Sequence, residues 1–161
     1  MDTLTLDAPT IEVTVRDTSG EPAWGSPGPW RVCTRKVVIG ANCPKCGAPR
    51  GERRGRNLCE DGDYYWVEQW DNPCGHVDHY AAVIAEAKEL KRLRLDAYLR
   101  GLGQGGIVDF KIYHAVRWYE VRGQVTEINW DKREVYAINP DNPQDKGWVA
   151  FRWIVVPEKG D

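Results

Sequence analysis

The chain contains no apolar run approaching the roughly 18 residues that a membrane-crossing helix requires, which excludes a helical membrane span. Its opening residues, MDTLTLDAPTIEV, have neither a basic stretch nor an apolar core, so no secretion signal is expected. Cysteine is sparse and odd in number, five in 161 residues, which argues against a disulfide framework and for a reducing compartment. These absences together predict a soluble cytoplasmic protein. Net charge is only −2, so a general polyanion binder is not expected. There is no internal repeat.

Catalytic patterns are missing too. Neither His-Glu-x-x-His nor His-x-Glu followed by Pro-Cys-x-x-Cys occurs. No Ser-His-Asp order with a nucleophile elbow is found. The glycines of GLGQGG (101–106) follow a predicted helix rather than a strand, which rules out a dinucleotide loop. His114 stands alone in a predicted strand and reads as structural. No enzyme activity and no small-molecule substrate are expected.

What is present is enough for a core: 42% apolar residues, eight tryptophans among them. Charge is segregated along the chain. Residues 31–58 carry a net +7, whereas residues 59–79 carry −6 with no lysine or arginine. The basic block includes PRGERRGR, with Arg50, Arg53, Arg54 and Arg56.

TIEVTVR alternates, with Ile11, Val13 and Val15 on one face, and predicts a strand. GEPAWGSPGPW predicts a loop, and RVCTRKVVI a second strand in which Cys33 serves as a small packing residue. Residues 59–71 predict a turn at Asp61-Gly62-Asp63 and a short aromatic strand. Tyr80, Ile84, Ala87, Leu90, Leu93 and Ala97 follow helical spacing, which predicts a helix over 78–101 with Asp78 as N-cap and Gly101 as its stop. Residues 102–106 form the best linker candidate. Beyond them five strand-like runs (107–113, 116–121, 124–130, 133–139 and 148–156) suggest a small SH3-like barrel. The expected fold is α+β: strands and a zinc-ribbon-like module over 1–79, one connecting helix, and an SH3-like β-barrel over 107–161.

CPKCG and NPCGHVDH carry the chemistry. Zinc takes four thiolate or imidazole ligands at tetrahedral positions. The CPKCG turn supplies Cys43 and Cys46, with Gly47 permitting the tight bend. NPCGHVDH supplies Cys74 and two histidines, at the spacing of a zinc ribbon whose knuckles flank a hairpin. The fourth ligand is His76, with Cys59 and His79 as alternatives. A redox CPKC would open a helix, but GAPRG follows and cannot continue one. Four protein ligands close the site, so one structural zinc ion is expected.

CPKCGAPRG (43–51) with WDNPCGHVDHYAAVIAEA (70–87) resembles a group of small, uncharacterised zinc-ribbon-like proteins of actinobacteria and their phages. The pattern is roughly Cys-Pro-x-Cys-Gly-x-Pro-Arg-Gly, a variable hairpin, then Asn-Pro-Cys-Gly-His-Val-Asp before a helix. The resemblance covers about 45 residues and implies Cys43, Cys46, Cys74 and His76 as ligands. Cys59 falls on no motif position. YEVRGQVTEIN is loosely similar to a KOW- or Tudor-type barrel strand, without the second glycine and basic residues of a KOW element.

Two functions compete on these residues. One is a protein-interaction adaptor presenting tryptophans such as Trp118, Trp148 and Trp153 to a protein partner; a phage origin would make it a host-directed factor in the host cytoplasm. The alternative is a nucleic-acid-binding accessory protein gripping phosphates with Arg50, Arg53, Arg54 and Arg56, and stacking bases on Tyr64, Tyr65, Trp66 or Trp70. The opposing bland reading is a basic loop that pairs with the acidic EDGD segment. The low net charge favours the adaptor.

Overall fold

β-Branched residues at alternating positions make the first sheet, because they pack well on a pleated surface. β1 (Thr10–Arg16) pairs antiparallel with β2 (Thr34–Gly40), from Thr10 opposite Gly40 to Arg16 opposite Thr34. The computed structural model describes residues 8–20, 32–60, 62–114 and 116–157. Residues 21–31, which include most of the expected Gly/Pro loop, lie outside that set, as do Asp61 and the His114 side chain. The chain is mixed α and β and divides into two compact units, Met1–Arg92 and Leu93–Asp161.

In the first unit, Val13, Val15, Val37 and Ile39 of this sheet pack with Val83 and Ile84 of α1 (Tyr80–Leu102). Burying each such side chain contributes about 1.5–3 kcal/mol. β3 (Arg54–Glu60) and β4 (Asp63–Gln69) form a separate two-stranded hairpin, with Gly62 at a φ of 88° in its turn. The open edge of β1 is covered by side chains of this hairpin region. The Thr14 N–H donates to the Glu68 carboxylate at 2.8 Å, and the Arg53 guanidinium donates to the Glu12 carbonyl. Cys33 is exposed just before β2 and is not the packed strand residue the sequence suggests.

The helix is displaced at both ends from its expected limits. The Val83 N–H donates to the His79 carbonyl, so His79 occupies the N-cap position. Asp78, the expected cap, has its carboxylate turned to other partners described below. At the far end Gly103 adopts a φ of 65° and its N–H donates to the Leu99 carbonyl, the left-handed termination that Gly101 was expected to provide.

In the second unit, five strands form one antiparallel sheet in the order β8-β7-β6-β5-β9: β5 (Ile107–His114), β6 (Arg117–Asn129), β7 (Glu134–Ile138), β8 (Lys146–Ala150) and β9 (Ile154–Val155). The strand-like runs 116–121 and 124–130 are a single strand. The run 148–156 is instead interrupted by a 3-10 turn at Phe151–Trp153. Residues 103–106 make a bonded turn, with the Gly105 N–H donating to the Val125 carbonyl. Leu95, Leu99, Val108, Phe110, Val125, Val135 and Phe151 form the core. Among the described residues β8 and β9 stand at the sheet's two edges, and a closed barrel is not shown. Among the described residues no helix is long and apolar enough to cross a membrane.

Gly123 explains the merged strand. A Cβ there would meet the Phe110 ring at 2.8 Å and the Ala137 Cβ at 2.9 Å, so the glycine admits neighbours rather than breaking the strand. Gly123→Ala should cost about 1–3 kcal/mol through overpacking, measured by urea unfolding.

Candidate metal centre

Two turns of matching build bring four ligand atoms together. In the first, the Gly47 N–H donates to the Cys43 carbonyl and the Cys43 N–H to the Ala48 carbonyl. In the second, the Gly75 N–H donates to the Asn72 carbonyl. Gly47 and Gly75 both sit at a φ of 76°, a left-handed conformation that a Cβ penalises. Each glycine follows a cysteine, and each places the next N–H on that cysteine's sulfur, Ala48 on Cys46 and His76 on Cys74. Gly47→Ala or Gly75→Ala should therefore cost about 1–2 kcal/mol of metal affinity, read by competition with a chromogenic chelator.

The ligand atoms of Cys43, Cys46, Cys74 and His76 all lie within 4.8 Å of one another. His76 presents Nδ1, 3.7 Å from the Cys43 sulfur. A tetrahedral site with a metal–sulfur bond of about 2.3 Å and a metal–nitrogen bond of about 2.0 Å has a sulfur–nitrogen edge of about 3.5 Å, so this pair lies close to one edge. The four residues could hold a metal ion. Cys43 is buried, whereas Cys46 is exposed.

The thiols differ in acidity. The Cys74 thiol is lowered to about 7, chiefly by the His76 N–H against some opposing burial, with further help from Cys46, His76 and Cys43. The Cys46 thiol is raised: the Ala48 N–H pulls it down, but hydrogen bonding with Cys74, burial and Cys43 outweigh that pull. The Cys46 and Cys74 thiols, bonded to one another, surrender their protons in steps. A thiolate formed readily at Cys74 suits a divalent ion.

Of the alternative ligands, neither joins the group. Cys59 is exposed on β3, opposite Tyr64, and His79 is exposed at the start of α1.

Arg50 is not the surface contact that its place in a basic run suggests. Its side chain is 1% exposed. Nη1 and Nη2 donate to the two carboxylate oxygens of Glu86 at 3.0 and 2.7 Å, Nε donates to Asp78 at 2.8 Å, and Nη1 also reaches the Gly40 carbonyl. Burial works against the guanidinium charge, but the hydrogen bonds to Glu86 and Asp78 more than offset it and raise the pKa. The same Asp78 oxygen accepts from Trp70 Nε1 at 2.8 Å and Asn72 Nδ2 at 3.0 Å. Burial pushes the Asp78 carboxyl up, yet Arg50, Asn72 and Trp70 together hold it below its ordinary value.

Asn72 completes the brace. Its Nδ2 donates to the His76 carbonyl at 2.9 Å, and its Oδ1 accepts from the Gly51 N–H at 3.3 Å. Gly51 is required there, since a Cβ would lie 2.0 Å from the Asp71 carbonyl oxygen. The segments that carry the two turns are thus tied to each other through Asn72, Asp78 and Arg50, and through Arg50 and Glu86 to α1, without recourse to a metal. Asn72, Asp78 and Glu86 were not singled out as site residues from the sequence. For Asn72 and Asp78 the signal was in WDNPCGHVD, whose polar residues flank the ligands.

The other arginines divide. Arg53 is engaged with Glu12 and, at 3.5 Å, with Glu68. Arg54 and Arg56 are exposed on β3, opposite Gln69 and Val67. Tyr64 and Trp66 project from the other face of the hairpin. Tyr64 is 84% exposed, and the Trp66 ring lies across Gly55, where a Cβ would meet its Nε1 at 2.7 Å.

No protein-family model matches the chain, and neither a curated protein nor a solved structure does.

Proposed function

We propose that the chain is a non-enzymatic adaptor, braced by one structural zinc ion, that docks on a protein partner. Three sulfurs and one imidazole suit zinc, and four protein ligands leave no open coordination position for catalysis. The hairpin between the two ligand turns supports a zinc-ribbon description of the first unit. The strand order of the second, with a 3-10 turn before the last strand, supports an SH3-like barrel. A phage origin, implied by the sequence resemblance, would make the partner a host protein met in the host cytoplasm.

The observation that carries the reading is the placement of large aromatics. Tyr64, Trp66, Trp118, Trp148 and Trp153 are exposed although both units have cores of their own. Aromatic side chains held on rigid strands are the residues that dominate protein interfaces. Affinity purification with zinc-loaded protein should retain a defined partner, and Tyr64→Ser/Trp66→Ser or Trp118→Ser should release it. A clean eluate from every plausible host lysate would contradict the reading.

The nucleic-acid alternative loses ground because Arg50 and Arg53 have partners within the fold. Arg53 is exposed but engaged with Glu12 and Glu68, which leaves Arg54 and Arg56 for phosphate, and the same face of the hairpin carries Glu60 opposite Asp63. Two phosphate contacts give a shallow salt dependence. No gel shift with single-stranded DNA is expected at physiological salt. A strong, steeply salt-sensitive shift abolished by Arg54→Ala/Arg56→Ala would restore the alternative.

A further inference from the structure

One row of side chains crosses three strands on the outer face of the second unit's sheet. Glu127 is opposite Tyr136 in the β6–β7 register, and Tyr136 is opposite Trp148 in the β7–β8 register. Val135 and Ala137 are buried, so Tyr136 and Glu134 face away from the core. A bulge in β6 between Val125 and Glu127 passes over Thr126 and aligns Glu127 with Tyr136. Bulges commonly re-aim a side chain in this way. The Tyr136 and Trp148 rings meet near edge to face, with centroids 5.3 Å apart and planes at 73°, and Trp148 is 45% exposed.

The charges on this face are unbalanced. Elsewhere on the sheet the acids are matched: Asp109 pairs with Arg122 at 3.0 Å and Glu120 with Lys111 at 3.5 Å. Glu127 and Glu134 have no ion pair among the described residues. Arg133, next to Glu134 in sequence, is committed to Asp96 and to the Phe151 ring. Glu134 and Lys146 lie in the rows on either side, opposite Ala150 and Ile138, so the acids outnumber the bases by two to one around Tyr136 and Trp148. Two carboxylates flank Tyr136, Glu127 across the β6–β7 register and Glu134 two residues back on the same face, and Tyr136 in turn meets the open indole; such a patch favours a cation over a phosphate chain.

We propose that Trp148, Tyr136, Glu127 and Glu134 form a docking site for a basic side chain, arginine foremost, of the protein partner. The existence of that partner rests on the adaptor reading; the chemistry of the site does not. A guanidinium is planar and weakly hydrated, so it stacks on an aromatic face while its N–H groups reach carboxylates at the edge. The chain already uses this contact internally, with Arg100 4.7 Å from the Trp130 ring centroid and Arg152 5.3 Å from that of Trp153.

The test is a nuclear magnetic resonance titration of the full zinc-loaded chain with a short Gly-Ser peptide carrying arginines. The same peptide with citrulline is the control, and the Trp148 indole resonance is assigned through Trp148→Phe. The arginine peptide should shift the Trp148 indole saturably, and Glu127→Gln/Glu134→Gln should weaken binding about tenfold or more. Rising salt should weaken it as well. An unmoved Trp148 indole at low-millimolar peptide would overturn the site, as would equal binding of the citrulline peptide. A partner recovered equally by the wild type and by Glu127→Gln/Glu134→Gln would also overturn it, while leaving the adaptor reading intact. Peptide binding at Trp148 with no partner recoverable would keep the site and remove the adaptor.

Discussion

Arg50→Met should destabilise the first unit by about 3–5 kcal/mol, the cost of leaving buried carboxylates without their cation. The Asp78 and Glu86 side chains are only 10% and 8% exposed, so water cannot replace the guanidinium. Arg50→Lys should recover little, because one ammonium cannot fork across two carboxylates and a carbonyl. Neutralising the carboxylates too, in Arg50→Met/Asp78→Asn/Glu86→Gln, should return part of the loss, since the unpaired charge is the main penalty. Urea titrations followed by amide exchange at Val13, Val15 and Ile39 would read the effect. A loss below about 1 kcal/mol would mean that the network behaves like a solvated surface pair.

Loss of the metal should have a larger effect on the ligand turns. A structural zinc site contributes on the order of 10 kcal/mol, and neither turn has an apolar core of its own. Cys43→Ser, Cys74→Ser or strong chelation should therefore remove exchange protection across residues 43–79. Amides at Val125 and Val135 in the second unit should keep theirs. Cys59→Ser and His79→Ala should leave metal content unchanged, because neither residue belongs to the cluster. Protons compete with the ion for thiolates, so affinity should fall as pH drops through the Cys74 value of about 7 and below it. Metal content that follows Cys59 instead of His76 would reassign the site.

The sequence revealed features set by local periodicity and by turn chemistry. Val13 and Val15 marked β1 through a period of two, and Ile84 to Ala97 marked the helix through a period near 3.6. The ligand turns were legible because cysteine–glycine pairs flank a charged hairpin and few other structures need that pattern. What escaped depends on partners distant in sequence. Asp78 has the chemistry of an N-cap, but Arg50, 28 residues earlier, takes its carboxylate. Gly123 signals a break by propensity, yet it sits inside a 13-residue strand because Phe110 and Ala137 press against it. Four arginines can be counted, but counting cannot say that Arg50 is buried and that Arg53 covers the edge of β1. Cys33 reads as a packing residue by type and proves exposed.

These cases share a physical reason. Periodicity reports which face of an element is apolar, and that is a property of neighbours in sequence. The choice of partner for a buried charge is made across the fold, where desolvation forces each guanidinium and carboxylate to find its opposite. The brace around the ligands belongs to the second class, and so does the row at Trp148, where a bulge decides which residue faces Tyr136.

X-ray absorption at the zinc edge of the purified protein tests the central claim most directly. One ion per chain with three sulfurs at about 2.3 Å and one nitrogen at about 2.0 Å is the predicted shell. A shell of four sulfurs, a shell of two sulfurs and two nitrogens, or no stoichiometric metal would contradict it.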